Sequence, residues 1–111
     1  MYIEFEKIDS NLIVHLLGEL DHHSAQEVRH KIDDIIDKDA IRNLVLDFSR
    51  VTFMDSSGIG VIIGRYKRMN SKKGQIAITS INSNIKRVFE LSGIFRIIKT
   101  YDKIEDALNF S

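Results

Sequence analysis

The chain has 111 residues, of which 43% are hydrophobic, and it contains no cysteine. This length and composition are typical of one globular domain, and the lack of cysteine excludes disulfides, thiolate metal sites and cysteine nucleophiles. Lys plus Arg and Asp plus Glu each number 16, so the basic excess of a nucleic-acid-binding protein is absent. There is no apolar stretch of the ~20 residues that a membrane span needs and no apolar signal-peptide core, so we predict a cytoplasmic protein without membrane contact.

The N-terminal elements predict a hairpin followed by a helix. Residues 2–8 alternate polar and apolar side chains, and the turn residues 9–11 lead to a second strand at 12–18. Ser24 and Glu27 fit a capping box at the start of the first helix. Its predicted buried stripe has helical spacing and consists of Ala25, Val28, Ile32, Ile35 and Ile36.

The rest of the chain alternates predicted strands and helices. The strands are expected at 43–48, 75–80 and 96–100, and the helices at about 57–72, 83–91 and 102–110. Gly74 ends the second helix, Gly93 caps the third, and the last helix turns Ile104, Ala107 and Leu108 inward. The order ββαβαβαβα predicts an α/β fold over residues 1–111, with a mixed, mostly parallel sheet, an antiparallel N-terminal edge hairpin and four helices.

The most unusual segment is the polar cluster at residues 55–58 with the glycine-rich helix after it. Each glycine inside a helix costs roughly 0.5–1 kcal/mol relative to alanine, which suggests a reason for Gly60 and Gly64. Helical projection predicts one core face, made of Ile59, Ile62, Ile63, Tyr66 and Met69. It predicts that the opposite side carries Ser57, Gly60, Val61, Gly64 and Arg68. Small residues on that side would form a docking groove with Ser57 at its N-terminal end.

Ser57 at the first turn of a helix is a position that tolerates phosphate, because free N–H groups and the helix dipole favour negative charge there. A phosphate would add about −1.5 to −2 charges, so a partner packed on the glycines would be repelled while the fold survived. The alternative is that Asp55 or Ser56 simply caps the helix. Capping alone gives no reason for Gly60 and Gly64, so both interpretations stay open at this point.

Two motifs resemble a known family: GELDHHSA at 18–25 and DFSRVTFMDSSGIGVIIGRYK at 47–67. The chain resembles, over nearly its whole length, the STAS domain of anti-sigma factor antagonists, in particular the sporulation type. The resemblance implies that the unmodified protein binds an anti-sigma factor serine kinase and thereby releases a sigma factor. It also implies that the kinase phosphorylates Ser57, which ends the binding, and that a PP2C-type phosphatase restores it. The expected partner-binding surface comprises Asp21, Ser56, Gly58, Gly60 and Gly64.

The sequence motifs give little support to a hydrolase, a nucleotide-binding protein or a metal-binding protein. The residues around Ser57 do not form the G-x-S-x-G of a nucleophile elbow, and the glycines fit neither a dinucleotide fingerprint nor a Walker A loop. We therefore predict a non-enzyme that needs no cofactor and has no catalytic or metal-binding residues. The histidines, His22 and His23 among them, lack metal-ligand spacing and are expected at the surface.

Two points remain open in the sequence. A basic cluster near the end of the second helix could be a solvated face or a surface for an acidic partner; it consists of Arg65, Lys67, Arg68, Lys72 and Lys73. A phospho-receiver-like domain with Asp47 or Asp55 as acceptor is an alternative, as is a general STAS signalling module of a stress-response pathway. The receiver ranks lower, because only Asp9 is available for the further acidic pair such a site needs.

Overall fold

A computed structural model of the protein describes residues 1–108. Its strands are β1 (Tyr2–Ile8), β2 (Asn11–Leu20), β3 (Asn43–Met54), β4 (Gln75–Thr79) and β5 (Lys99–Tyr101). Its helices are α1 (Ala25–Lys38), α2 (Ser56–Ser71), α3 (Ser83–Ser92) and α4 (Ile104–Leu108), with a 3₁₀ turn at Ile94–Arg96. The strands form one sheet in the order β1-β2-β3-β4-β5. Only the β1–β2 pair is antiparallel, which confirms the predicted mixed sheet with an edge hairpin and four helices.

The larger hydrophobic core lies between one face of the sheet and α1, α2 and α3. It contains side chains such as Leu12, Leu46, Ile32, Ile62 and Phe89, all of which are fully buried. The three helices share this face because each connects two neighbouring parallel strands through a crossover of one hand. The predicted stripe of α1 is confirmed, with Val28, Ile32 and Ile36 buried and Ala25 and Ile35 packed against the core.

The other face of the sheet is covered by α4. Ala107 packs on Ile13, Val45 and Ala77 in a second, smaller cluster, and Ile104 and Leu108 flank it as predicted. Residues 109 and 110 of the predicted last helix lie outside the described residues. Among residues 1–108, none of the helices combines the length and the apolar character that crossing a membrane requires.

Two strand boundaries differ from the prediction by more than two residues. β3 continues to Met54 instead of ending at residue 48, because residues 50–54 keep pairing with β2 although Ser49 and Arg50 are exposed and polar. β5 begins at Lys99 instead of residue 96, because the chain forms a 3₁₀ turn after Gly93 that buries Ile94. Gly93 has a φ of 80°, which is the left-handed conformation of a helix C-cap, as predicted.

Candidate functional site

The ends of two parallel strands bring the two motifs together. Leu20, the last residue of β2, is paired with Met54, the last residue of β3. Asp21 and Asp55 follow these residues directly, and the backbone N–H of Asp55 donates to the Leu20 carbonyl at 3.3 Å. The site therefore lies at the carboxyl edge of the sheet, where ligand and partner sites of α/β proteins commonly form.

Asp55 caps α2 and also holds the neighbouring turn. One carboxylate oxygen accepts from the backbone N–H groups of Ser57 at 2.9 Å and Gly58 at 3.3 Å, and the other accepts from that of His22 at 3.2 Å. Desolvation opposes the charged form, but these N–H groups and the His22 side chain outweigh it and lower the pKa of Asp55. The capping role expected of Asp55 or Ser56 thus belongs to Asp55.

Capping by Asp55 leaves the side chain of Ser57 free. Its hydroxyl has no hydrogen-bond partner among residues 1–108, and the residue is partly exposed in the first turn of α2. Ser56 begins the helix one residue earlier than predicted and is exposed. The capping and phosphorylation interpretations therefore do not compete, because different side chains would carry them.

Asp21, and not Ser24 with Glu27, organises the turn before α1. Its carboxylate accepts from the backbone N–H groups of His23 at 2.9 Å and Ser24 at 3.2 Å. The Ser24 hydroxyl instead donates to the Glu19 carbonyl at 2.8 Å, and Glu27 forms an ion pair with Lys31 at 3.0 Å. The predicted capping box is wrong, because Ser24 makes no side-chain cap hydrogen bond and its N–H, which Glu27 would have bound, donates to Asp21 instead. Desolvation disfavours the charged carboxylate of Asp21, but these N–H groups and the His23 side chain outweigh it. The pKa of Asp21 is therefore lowered.

A groove separates the start of α1 from the start of α2, with a volume of about 480 Å³. Its walls are formed by His22, Ala25, Gln26 and Arg29 on one side and by Ser57, Gly60 and Val61 on the other. Ser57 thus opens into a concave surface between two helices.

The three glycines of α2 differ in how closely the rest of the described chain surrounds them. A Cβ at Gly58 would lie 2.5 Å from Met54 Cγ and 2.6 Å from the Leu20 carbonyl oxygen, so Gly58 is required by the close approach of α2 to β2 and β3. A Cβ at Gly60 or Gly64 would have no atom within 4 Å. Internal packing thus explains Gly58, which is buried, and leaves Gly60 and Gly64 unexplained.

The predicted faces of α2 need two corrections, at Ile63 and at Val61. Ile62 and Met69 are buried and Ile59 and Tyr66 pack against the core, as predicted, whereas Ile63 is partly exposed and lies outside the core cluster. Val61 was placed on the side away from the core, but it is only 6% exposed. The reason is that α2 packs against α1 as well as against the sheet, so a second side of the helix is covered.

The packing of α1 against α2 gives part of the basic cluster a structural role. Arg65 is buried and pairs with Asp33 of α1 at 3.0 Å, and Arg68 pairs with Asp33 and Asp37. Lys72 donates to the carbonyl of Ile36 at 3.1 Å. Three of the five cations therefore join the two helices, and of these three only Arg65 is buried.

Comparison with known proteins identifies the family. The model of the STAS domain family matches residues 2–107. The chain is 43% identical to the "Anti-sigma F factor antagonist" of Paenibacillus polymyxa over 108 residues, which cover 97% of this chain and 92% of that one. The chain belongs to the STAS domain family of anti-sigma factor antagonists.

Solved structures of related STAS domains have the same fold. The anti-sigma factor antagonist SpoIIAA in its unphosphorylated form superposes with a TM-score of 0.76 at 27% identity, covering 96% of this STAS domain and 94% of that chain. The Bacillus cell fate determinant SpoIIAA in its phosphorylated form has a TM-score of 0.76 at 28% identity and 97% coverage of both chains.

The fold excludes the receiver alternative. Receiver domains have a doubly wound sheet of order 2-1-3-4-5 with helices on both faces. This STAS domain has the sequential order β1-β2-β3-β4-β5, an antiparallel first pair and three helices on one face. Asp47 and Asp55 are also engaged by His15 and by the helix cap, respectively.

Sequence reasoning missed a polar cluster on the face of the sheet opposite α1 and α2. His15 Nδ1 lies 2.7 Å from Asp47, and its Nε2 lies 3.4 Å from Glu6. Burial opposes the charged imidazole, but the bonds to Asp47 and Glu6 outweigh it and raise the pKa of His15. The signal was a single polar residue inside each of two apolar strands. His22 and His23 are exposed, and residues 1–108 contain no group of three or more potential metal ligands.

Proposed function

We propose that this STAS domain, in its unphosphorylated form, binds an anti-sigma factor that is a serine kinase and so releases the sigma factor. Phosphorylation of Ser57 by that kinase ends the binding, and a PP2C-type phosphatase reverses it. The protein acts by binding in the cytoplasm, and the ATP belongs to the kinase. The observation that carries the proposal is the free hydroxyl of Ser57 at the first turn of α2, beside the open surface at Gly60 and Gly64.

The geometry supports a switch that acts on the interface and leaves the fold intact. Within residues 1–108 the Ser57 hydroxyl makes no hydrogen bond that phosphorylation would break. The N-terminus of α2 tolerates added negative charge. Asp55 and Asp21 nearby add negative charge, so a phosphorylated site presents a concentrated anionic surface to an approaching partner.

The glycines support a docking surface on α2. Gly60 and Gly64 have open space where a side chain would be, so nothing within the described chain needs them to be small. Close approach of a partner's backbone would explain both residues. We place Asp21 and Ser56 at the edge of this surface, and Gly58 beneath it, where its small size positions Ser57.

The comparisons support the same assignment. A relative named for its action on an anti-sigma F factor shares 43% of its residues with this chain. SpoIIAA has been solved in both phosphorylated and unphosphorylated forms, and both are equally similar to this fold. We therefore propose an anti-sigma factor of the F type, which acts in sporulation, as the partner.

Intact mass spectrometry after incubation with the anti-sigma F kinase and ATP tests the modification. We expect one added phosphate in the wild type and in Ser56→Ala, and none in Ser57→Ala. Ser56 is the matched control, because it is the neighbouring serine and is itself exposed. Phosphate on Ser57→Ala, or none on the wild type with a kinase active toward another antagonist, would contradict the proposal.

A binding assay tests the consequence. Ser57→Asp should lose binding to the kinase by at least about tenfold, while its thermal unfolding stays cooperative and its circular dichroism stays native. Tight binding by Ser57→Asp would contradict the switch. Loss of its cooperative unfolding would show that Ser57 acts on the fold instead.

A further inference from the structure

Arg29 faces Ser57 across the groove between α1 and α2. Both side chains line the cavity of about 480 Å³, Arg29 from the second turn of α1 and Ser57 from the first turn of α2. Arg29 is exposed and has no ion pair or hydrogen bond among residues 1–108. It is therefore a cation whose charge is available to an anion in the groove.

The nearby arginines of α2 are already paired with acidic residues of α1. Arg65 pairs with Asp33, and Arg68 pairs with Asp33 and Asp37. Burial lowers the pKa of Arg65, and Asp33 opposes this effect. The positive charge of Arg29 is close enough to lower the pKa of Arg65 further. The sequence alone could not separate these arginines, because their difference arises from which acidic residues of α1 face α2.

We infer that Arg29 is the counter-ion of phosphorylated Ser57, holding the phosphate in the groove over Gly60. An arginine fork matches the geometry of phosphate oxygens, and the groove is the open space next to the Ser57 hydroxyl. The inference rests on the proposed function, in which Ser57 is the modified residue. It adds the residue that decides where the phosphate lies: against α1, covering the open surface at Gly60 to which the partner would bind.

The charged groups that face this phosphate come from three segments. Arg29 of α1 favours the dianion, Asp55 at the cap of α2 opposes it, and His22 of the turn before α1 lines the same groove. Arg65 of α2 faces Asp33 and contributes less. Removal of Arg29 should therefore make the second ionisation of the phosphate less favourable and raise its pKa.

Phosphorus-31 NMR titration measures this pKa directly. Phosphoserine is incorporated at position 57 during translation, so the sample does not depend on any kinase. We expect Arg29→Gln to raise the second pKa of the phosphate by about 0.5 at low salt, and Arg29→Lys to raise it less. Arg87→Gln, which removes the same charge from the exposed side of α3, should leave it unchanged. The series is repeated with His22→Gln, because His22 lines the same groove as Arg29 and Ser57.

The outcomes separate this inference from the proposed function. Equal second pKa values of the phosphate in Arg29→Gln and Arg87→Gln would overturn the inference. If, in addition, unmodified Arg29→Gln bound the kinase more weakly than the wild type, Arg29 would be a partner contact instead. Failure of the kinase to modify Ser57 would contradict the proposed function alone, since the titration uses encoded phosphoserine. Circular dichroism of Arg29→Gln checks that α1 remains folded.

Discussion

Gly60→Ala should make the protein more stable and its binding weaker. Gly60 is exposed within α2, past the first turn, and a Cβ there would meet no atom within 4 Å. Alanine therefore brings no clash, and it removes the backbone entropy that glycine loses when the helix forms. If the position is glycine because a partner packs closely on it, the same methyl group should obstruct that partner.

The size of both effects follows from the helix and from the chain length. Replacing an exposed glycine inside a helix by alanine stabilises by about 0.8 kcal/mol. With an unfolding entropy of about 2.1 cal/mol/K per residue over 111 residues, this raises the Tm by roughly 3 °C. An extra methyl group in a close-packed interface costs about 1–3 kcal/mol, which corresponds to a loss of affinity of about five- to 150-fold.

Urea unfolding followed by circular dichroism measures stability, and calorimetric titration with the anti-sigma factor measures affinity. Gly64→Ala should behave like Gly60→Ala, because the space beside it is also open. Gly58→Ala is the matched contrast on the same helix. Its Cβ would lie 2.6 Å from the Leu20 carbonyl oxygen, so we expect it to destabilise the fold by about 1–3 kcal/mol.

Two results would refute this reasoning. Destabilisation by Gly60→Ala would mean that the position is constrained inside the protein, contrary to the open space around it. Stabilisation with unchanged affinity would mean that the partner does not approach this part of α2, and the docking surface would have to be sought elsewhere.

Two further predictions concern Asp55 and His15. Asp55→Ala should lower the free energy of unfolding by about 1–2 kcal/mol in urea titrations, because it removes the cap of α2 and the bond to the His22 N–H; an unchanged value would argue against the cap. The pKa of His15 is raised above its ordinary value of 6.5 in the folded protein. Protonated His15 therefore stabilises the fold fully below that pH, and this stabilisation is lost as pH rises through the folded-state pKa. His15→Gln should therefore flatten the decline of unfolding free energy measured between about pH 6 and 8, and an equally steep decline in the variant would exclude His15 as its source.

Some elements of the site could be predicted from local sequence because neighbouring residues determine them. The stripe of α1 depends only on spacing, and the cap of α2 depends on Asp55 and the two N–H groups that follow it. The capping box at Ser24 was equally plausible from its spacing, but it failed. Asp21, three residues earlier, accepts from the Ser24 N–H that Glu27 would bind in the box, and local rules do not decide between two competing acceptors.

Contacts between elements distant in the chain could not be predicted in this way. Val61 and Arg65 are buried because α1 lies beside α2, and helical projection alone assumes a single covered face. His15 and Asp47 meet because parallel pairing of β2 with β3 places them in register, 32 residues apart.

The sequence by itself determined the order of the elements, the mixed sheet and the position of Ser57 at a helix start, because periodicity and turn residues act over a few positions. Only the tertiary structure decided which glycines have open space, which arginines are neutralised and which cation shares a groove with Ser57. These properties depend on how α1 and α2 pack on the sheet, which the pairing of distant strands sets.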